Sequence, residues 1–186
     1  NTAVLAWTTT PWTLPGNVAL AVNPNITYVA CRITSAHAVS EGGKYPEISE
    51  EITYILAKSR VSEVITGPYT VEGEFLGKDL EGLVYEPLFA IEENTNVASH
   101  KMYAGEFVTD TDGTGIVHIA PMYGEDDFAL GKTYDLPFVH TVDPSGHFTE
   151  NVGAALAGKY VKEESTAVEI LKILGDRVFR KSSYTH

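Results

Sequence analysis

Two stretches of the chain collect side chains able to hold and cleave a polar ligand. The first is Trp7-Thr8-Thr9-Thr10-Pro11-Trp12-Thr13-Leu14-Pro15-Gly16-Asn17. Four threonines stand within six residues, bracketed by two tryptophans and two prolines. Pro11 and Pro15 end any strand here and force a stiff, irregular path. Hydroxyls on such a path can meet several oxygens of one ligand, while their methyl groups narrow the pocket. The plainer alternative is a threonine-rich strand edge and turn.

The second stretch is Gly113-Thr114-Gly115-Ile116-Val117-His118-Ile119-Ala120-Pro121-Met122-Tyr123-Gly124-Glu125-Asp126-Asp127-Phe128. A glycine-flanked apolar strand stops at Pro121, a glycine turn follows, and an acidic helix begins. Asp126 and Asp127 are candidate ligands for a cation, or simply carboxylates placed where a helix dipole favours them. His118 lies in an alternating strand, so it is either a pocket group or a satisfied core histidine.

What the chain lacks narrows the chemistry. No Ser/His/Asp or Cys/His pattern marks a covalent nucleophile, and no ligand cluster is spaced for a metal. His37, His100, His118, His140, His147 and His186 are scattered. The single cysteine, Cys31, excludes an internal disulfide and reads as a small buried strand residue. One thiol and no secretion signal suit a reducing cytoplasm. A net charge of -12 argues against autonomous grip on nucleic acid, which needs clustered Lys and Arg. No apolar run approaches the roughly 18 residues of a membrane span, so no membrane partner is expected.

The elements that must position these groups are mostly strands. With 186 residues the chain suffices for one domain with a sizeable core. Short β-branched and aromatic runs predict strands over 3–7, 18–22, 26–33, 52–57, 69–75, 106–109, 115–119 and 138–142. Many short strands with Gly, Pro, Asn or Asp between them point to a barrel or sandwich. Helices are few. Residues 161–174 are the best candidate, with an apolar stripe of Val168, Leu171 and Leu174 widened by Ile170 and Ile173, and Gly175 as its stop. Residues 58–65 and 125–134 predict two shorter helices. Residues 35–51 are polar and read as a long loop. The start, Asn1-Thr2-Ala3, enters an apolar strand without a methionine and reads as a fragment of a larger protein.

Together, Thr-Thr-Thr-Pro-Trp-Thr-Leu-Pro and, about a hundred residues later, Gly-Thr-Gly-Ile-Val-His-x-Ala-Pro-x-x-Gly-x-x-Asp-Phe resemble the inserted editing domain of isoleucyl-tRNA synthetases. Valyl and leucyl relatives share the Gly-Thr-Gly and the Asp, but typically carry Thr-Thr-Arg-Pro where this chain has Thr8-Thr9-Thr10-Pro11-Trp12. The chain departs from many members at Met122-Tyr123, where they carry Gly-His. The closing Ser182-Ser183-Tyr184-Thr185-His186 resembles the strand that returns to the synthetase body.

The resemblance implies a mainly β fold with peripheral helices, a distorted closed β-barrel of about six strands, and residues 1–186 as one editing domain. It implies an aminoacyl-tRNA deacylase that hydrolyses Val-tRNA(Ile), with valyl-adenylate as a further candidate. Asp127, Thr9 and Thr10 would be catalytic, Asp127 anchoring the substrate ammonium. Trp7, Thr8 and Asn17 would hold the adenosine and aminoacyl group. Thr13 and His118, with Ala120 beside them, would line the side-chain pocket. Attack would come from a positioned water helped by the substrate's ribose hydroxyl. No cofactor or metal is expected in this domain; ATP, and any zinc, belong to the rest of the synthetase. The expected partners are the acceptor end of tRNA(Ile) carrying valine and the remainder of the synthetase in cis. The competing readings are a valyl- or leucyl-type editing site and a non-catalytic module that binds the tRNA end.

Overall fold

A computed structural model of the chain describes residues 1–33 and 51–181. The loop expected over residues 35–51 lies outside them apart from Glu51, and the closing residues 182–186 lie outside altogether.

Among the described residues, seven strands make two sheets. The first has four strands in the order β1 (Thr2–Val4), β4 (Ile52–Ala57), β3 (Thr27–Ile33) and β5 (Tyr69–Leu76). β3 is antiparallel to both neighbours, while β1 runs parallel to β4. The second has three strands, β6 (Lys101–Ala104), β2 (Ala19–Val22) and β7 (Ile116–Ile119), with β2 parallel to β6 and antiparallel to β7. Leu20, Val22, Tyr28, Ala30, Ile55, Ala57, Met102 and Ile116 form a core shared by both sheets. β2 is apolar throughout and buried at every position, as a strand covered on both faces must be.

Among the described residues, three α-helices lie around the sheets: α1 (Val61–Val64), α2 (Glu125–Tyr134) and α3 (Glu164–Leu174). Leu130 of α2 packs with Val18, Ala19 and Ile119 of the three-stranded sheet. α3 buries Thr166, Ile170 and Leu174, four residues apart, against Leu14, Phe148 and Leu156. This face is turned from the stripe expected at Val168, Leu171 and Leu174, and Val168 is exposed. The helix starts at Glu164 rather than Val161; the residues before it are engaged elsewhere, Tyr160 in an isolated bridge with His147 and the Val161 N–H on the Gly146 carbonyl. No helix among the described residues is long and apolar enough to cross a membrane.

The mixed sheets and few helices agree with the expected fold class, but among the described residues there is no closed barrel. The sheets meet at a seam of single bonds. Leu5 N–H donates to Ile55 O in one sheet, and two residues on Trp7 N–H donates to Ile116 O in the other. Ala57 N–H donates to Thr114 O, and the Tyr28 hydroxyl to Gly115 O. A continuous ladder fails here because Gly113 and Gly115 take φ of 62° and 73°, which bend the backbone out of the extended form.

Two strand expectations do not hold. Residues 106–109 form a turn that Asn23 Nδ2 caps by donating to Glu106 O and Val108 O. Residues 138–142 contribute only an isolated bridge between Val142 and Phe148. Conversely, β6 was not anticipated.

Candidate active site at the seam between the sheets

The threonine-rich stretch leaves the first sheet at Leu5, crosses the seam at Trp7 and winds into a 3-10 turn over Pro11–Gly16. Thr10 precedes the turn, and its carbonyl accepts the Thr13 N–H at 3.0 Å and the Thr13 hydroxyl at 2.9 Å. Thr8 Oγ1 accepts the Thr10 N–H at 3.1 Å. These local bonds fold Thr8, Thr10 and Thr13 onto one another. Their hydroxyls run in a line: Thr8 to Thr10 at 3.5 Å, Thr10 to Thr13 at 3.4 Å, and Thr13 to His118 Nε2 at 3.0 Å.

With the Thr13 hydroxyl donating to the Thr10 carbonyl, its oxygen is left to accept from His118, which corresponds to the tautomer with the hydrogen on Nε2. Nδ1 is then an acceptor, buried and without a partner among the described residues. Burial holds the imidazole pKa down at about 4, so the ring is neutral at pH 7.

The second stretch reaches the same place from the other sheet. β7 presents His118 and ends at Ile119; the Tyr123 N–H then turns back to the Ala120 carbonyl. α2 begins after Gly124, which puts Asp127 in its first turn. Asp127 Oδ2 accepts the Ala120 N–H at 2.9 Å. Burial raises the carboxyl pKa; the Ala120 N–H opposes that rise, and the Asp126 charge adds to it.

The two stretches enclose a cavity of about 290 Å³. Trp7, Thr8, Thr9, Thr10, Thr13, Val117, His118, Tyr123, Gly124 and Asp127 line it. It thus gathers seven of the nine candidate residues. Asn17 and Ala120 are not among the lining residues. Asn17 is buried, donating Nδ2 to Ala19 O at 2.9 Å and accepting the Tyr85 hydroxyl at 2.6 Å, and so fixes the exit of the 3-10 turn. Ala120 acts through its N–H on Asp127. Asp126 is exposed and outside the lining. Among the described residues no three His, Cys, Asp or Glu side chains are grouped to hold a metal ion.

The sequence reading missed Val117, Gly124 and Tyr123 as lining residues. Gly124 had a local signal: a Cβ there would lie 3.0 Å from Asp127 Cγ. Tyr123 was visible only as an aromatic beside the turn.

Comparison with known proteins follows from this geometry. No family model matches the chain. An isoleucine–tRNA ligase of Clostridium novyi is 42% identical over 187 residues, covering 100% of this chain. One from Bacillus thuringiensis is 40% identical over 188 residues, again covering 100% of it. The chain is related along its whole length to one segment of isoleucine–tRNA ligases. It spans 16% of the length of those relatives.

The solved structures it resembles are editing domains. The cytosolic leucyl-tRNA synthetase editing domain of P. knowlesi matches with a TM-score of 0.54 at 14% identity, covering 92% of this chain and 70% of that one. That of P. falciparum gives 0.52 at 18%, covering 74% and 51%. At these identities the likeness concerns the fold alone: the architecture of this chain is similar to that of those domains.

Proposed function

We propose that the chain is the editing module of an isoleucyl-tRNA synthetase and hydrolyses valine wrongly esterified to tRNA(Ile). The observation that carries this reading is the small cavity in which a desolvated carboxylate, a line of threonine hydroxyls and a neutral histidine converge.

An aminoacyl ester offers a cationic ammonium, an ester carbonyl and a ribose hydroxyl. Asp127 is suited to the ammonium, because a carboxylate made costly by burial gains most from a cation. The ammonium so held sets the carbonyl among Thr8, Thr9 and Thr10. Their hydroxyls are donors for the oxyanion that forms when water attacks. With its pKa at about 4, His118 is a weak proton acceptor at pH 7 and serves as a wall and an anchor for Thr13. The ribose hydroxyl of the substrate is the better-placed helper for the attacking water.

The need for such a module is physical. A pocket that binds isoleucine rejects valine by only about 10–200-fold, since one methylene is worth about 1–3 kcal/mol. A second, smaller cavity that admits valine and excludes isoleucine corrects the remainder.

The test is ester loss from Val-tRNA(Ile) and Ile-tRNA(Ile) mixed with the chain. Faster loss of the valyl ester is the expected result. Loss of neither favours a module that only binds the tRNA end, and equal loss of both removes the selective function.

A further inference from the structure

We propose that Tyr123 is a specificity-determining residue, a fixed wall of the cavity against which the substrate's amino-acid side chain is measured. The inference rests on the reading of this cavity as an editing site.

Tyr123 lines the cavity together with Thr13, His118 and Asp127. Its ring is held at both ends. At the phenol end, the Thr141 N–H donates to the Tyr123 oxygen at 2.7 Å, and the Thr141 hydroxyl lies 2.8 Å away. Thr141 is fully buried. At the other end, Trp12 meets the ring edge-on, with centroids 5.2 Å apart and planes at 73°. The ring also lies against the backbone of the 3-10 turn, since a Cβ on Gly16 would come within 3.1 Å of Tyr123 Cε2.

These restraints come from outside the cavity. Trp12 packs on the core formed by Leu14, Phe148 and Leu156. A ring that swung aside to admit one more methylene would strip a buried N–H and a buried hydroxyl of their partner, which is expensive. A wall of free rotamers yields to a larger ligand, whereas this one cannot. His118 differs, because it is tied into the threonine line that meets the reacting ester. Tyr123 is anchored apart from that line, so it can set size without taking part in hydrolysis.

The experiment compares deacylation of Val-tRNA(Ile) and Ile-tRNA(Ile) by the parent, Tyr123→Leu and Tyr123→Phe, with circular dichroism melts of each. Tyr123→Leu removes the ring, and the valine-to-isoleucine rate ratio should fall about tenfold or more, mainly through gained isoleucyl hydrolysis. Tyr123→Phe keeps the ring but releases its anchor, and the ratio should fall in the same direction by a smaller factor. A merely structural tyrosine would lower the melting temperature and leave the ratio alone. If the leucine variant does not melt cooperatively, the phenylalanine variant decides. A parent that prefers valine, with folded variants that keep its ratio or slow both esters equally, overturns the wall alone. A parent that hydrolyses neither ester overturns the editing reading and the wall with it.

Discussion

His118 is buried and Asp127 half-buried, each at a cost to its charged form, and the signs of their titrations differ. Asp127 has a raised carboxyl pKa, so its contribution to stability is full below the ordinary carboxylate value and is lost as pH rises through the raised one. At neutral pH the ionised group is a burden that a bound ammonium relieves. Asp127→Asn retains an acceptor for the Ala120 N–H and lifts that burden. Its melting temperature should equal or exceed the parent's, while valyl-ester hydrolysis falls by about tenfold or more, the worth of a charge-assisted bond. A variant with parent activity would remove the ammonium role. Asp126→Ala, at an exposed position outside the lining, should change hydrolysis little in the same assay. His118 has a lowered pKa of about 4, so its contribution is present above the unfolded value near 6.5 and is lost as pH falls through about 4. Melts between pH 7 and pH 4 should therefore show a steeper loss for the parent than for His118→Gln. Equal slopes would mean that the imidazole titrates normally.

At the scale of elements, the glycines of the seam carry more weight than any strand. A Cβ on Gly115 would sit 2.4 Å from Ala57 Cβ, and the residue has φ of 73°. Gly115→Ala combines a left-handed alanine with an overpacked contact and should cost about 2–5 kcal/mol, read as a lower midpoint in urea. An unchanged midpoint would show that the seam can relax. Arg60 braces the same loop, donating Nε to Gly113 O at 3.1 Å and Nη1 to Thr111 O at 3.3 Å. The sequence revealed some of these elements and concealed others for physical reasons. Helix 125–134 and strand 52–57 were legible to the residue, because Gly124 and a run of β-branched residues mark their ends. Strand β6, Lys-Met-Tyr-Ala, has no alternation to read, since Met102 and Tyr103 are both buried. The 138–142 stretch looked like a strand, but beyond the Val142–Phe148 bridge its backbone is met largely by side chains, as where the Thr141 N–H donates to the Tyr123 oxygen. The site was legible where side chains do the work, at the threonines, His118 and Asp127. It was illegible at Tyr123, whose role depends on Thr141 and Trp12 being brought to it by folding.

At the scale of the whole molecule, a net charge of -12 leaves little to bind phosphates. Affinity of this chain for tRNA should be weak, and the slope of log K against log salt should be shallow, because few counterions are released. A steep slope from a titration between 50 and 200 mM salt would reveal a basic track not evident in the composition. The sheets around the shared core also differ in what they enclose. Cys31, the chain's only cysteine, sits fully buried on β3 in the middle of the four-stranded sheet, and burial pushes its thiol pKa up. An alkylating reagent therefore meets no reactive thiolate in the closed protein and modifies the chain only at the rate at which that sheet opens. The molecule thus carries its own clock for opening. Because the segment from Leu5 to Trp7 ties the cavity to both sheets, a ligand lodged there should slow that clock, making occupancy readable without following any bond being cleaved.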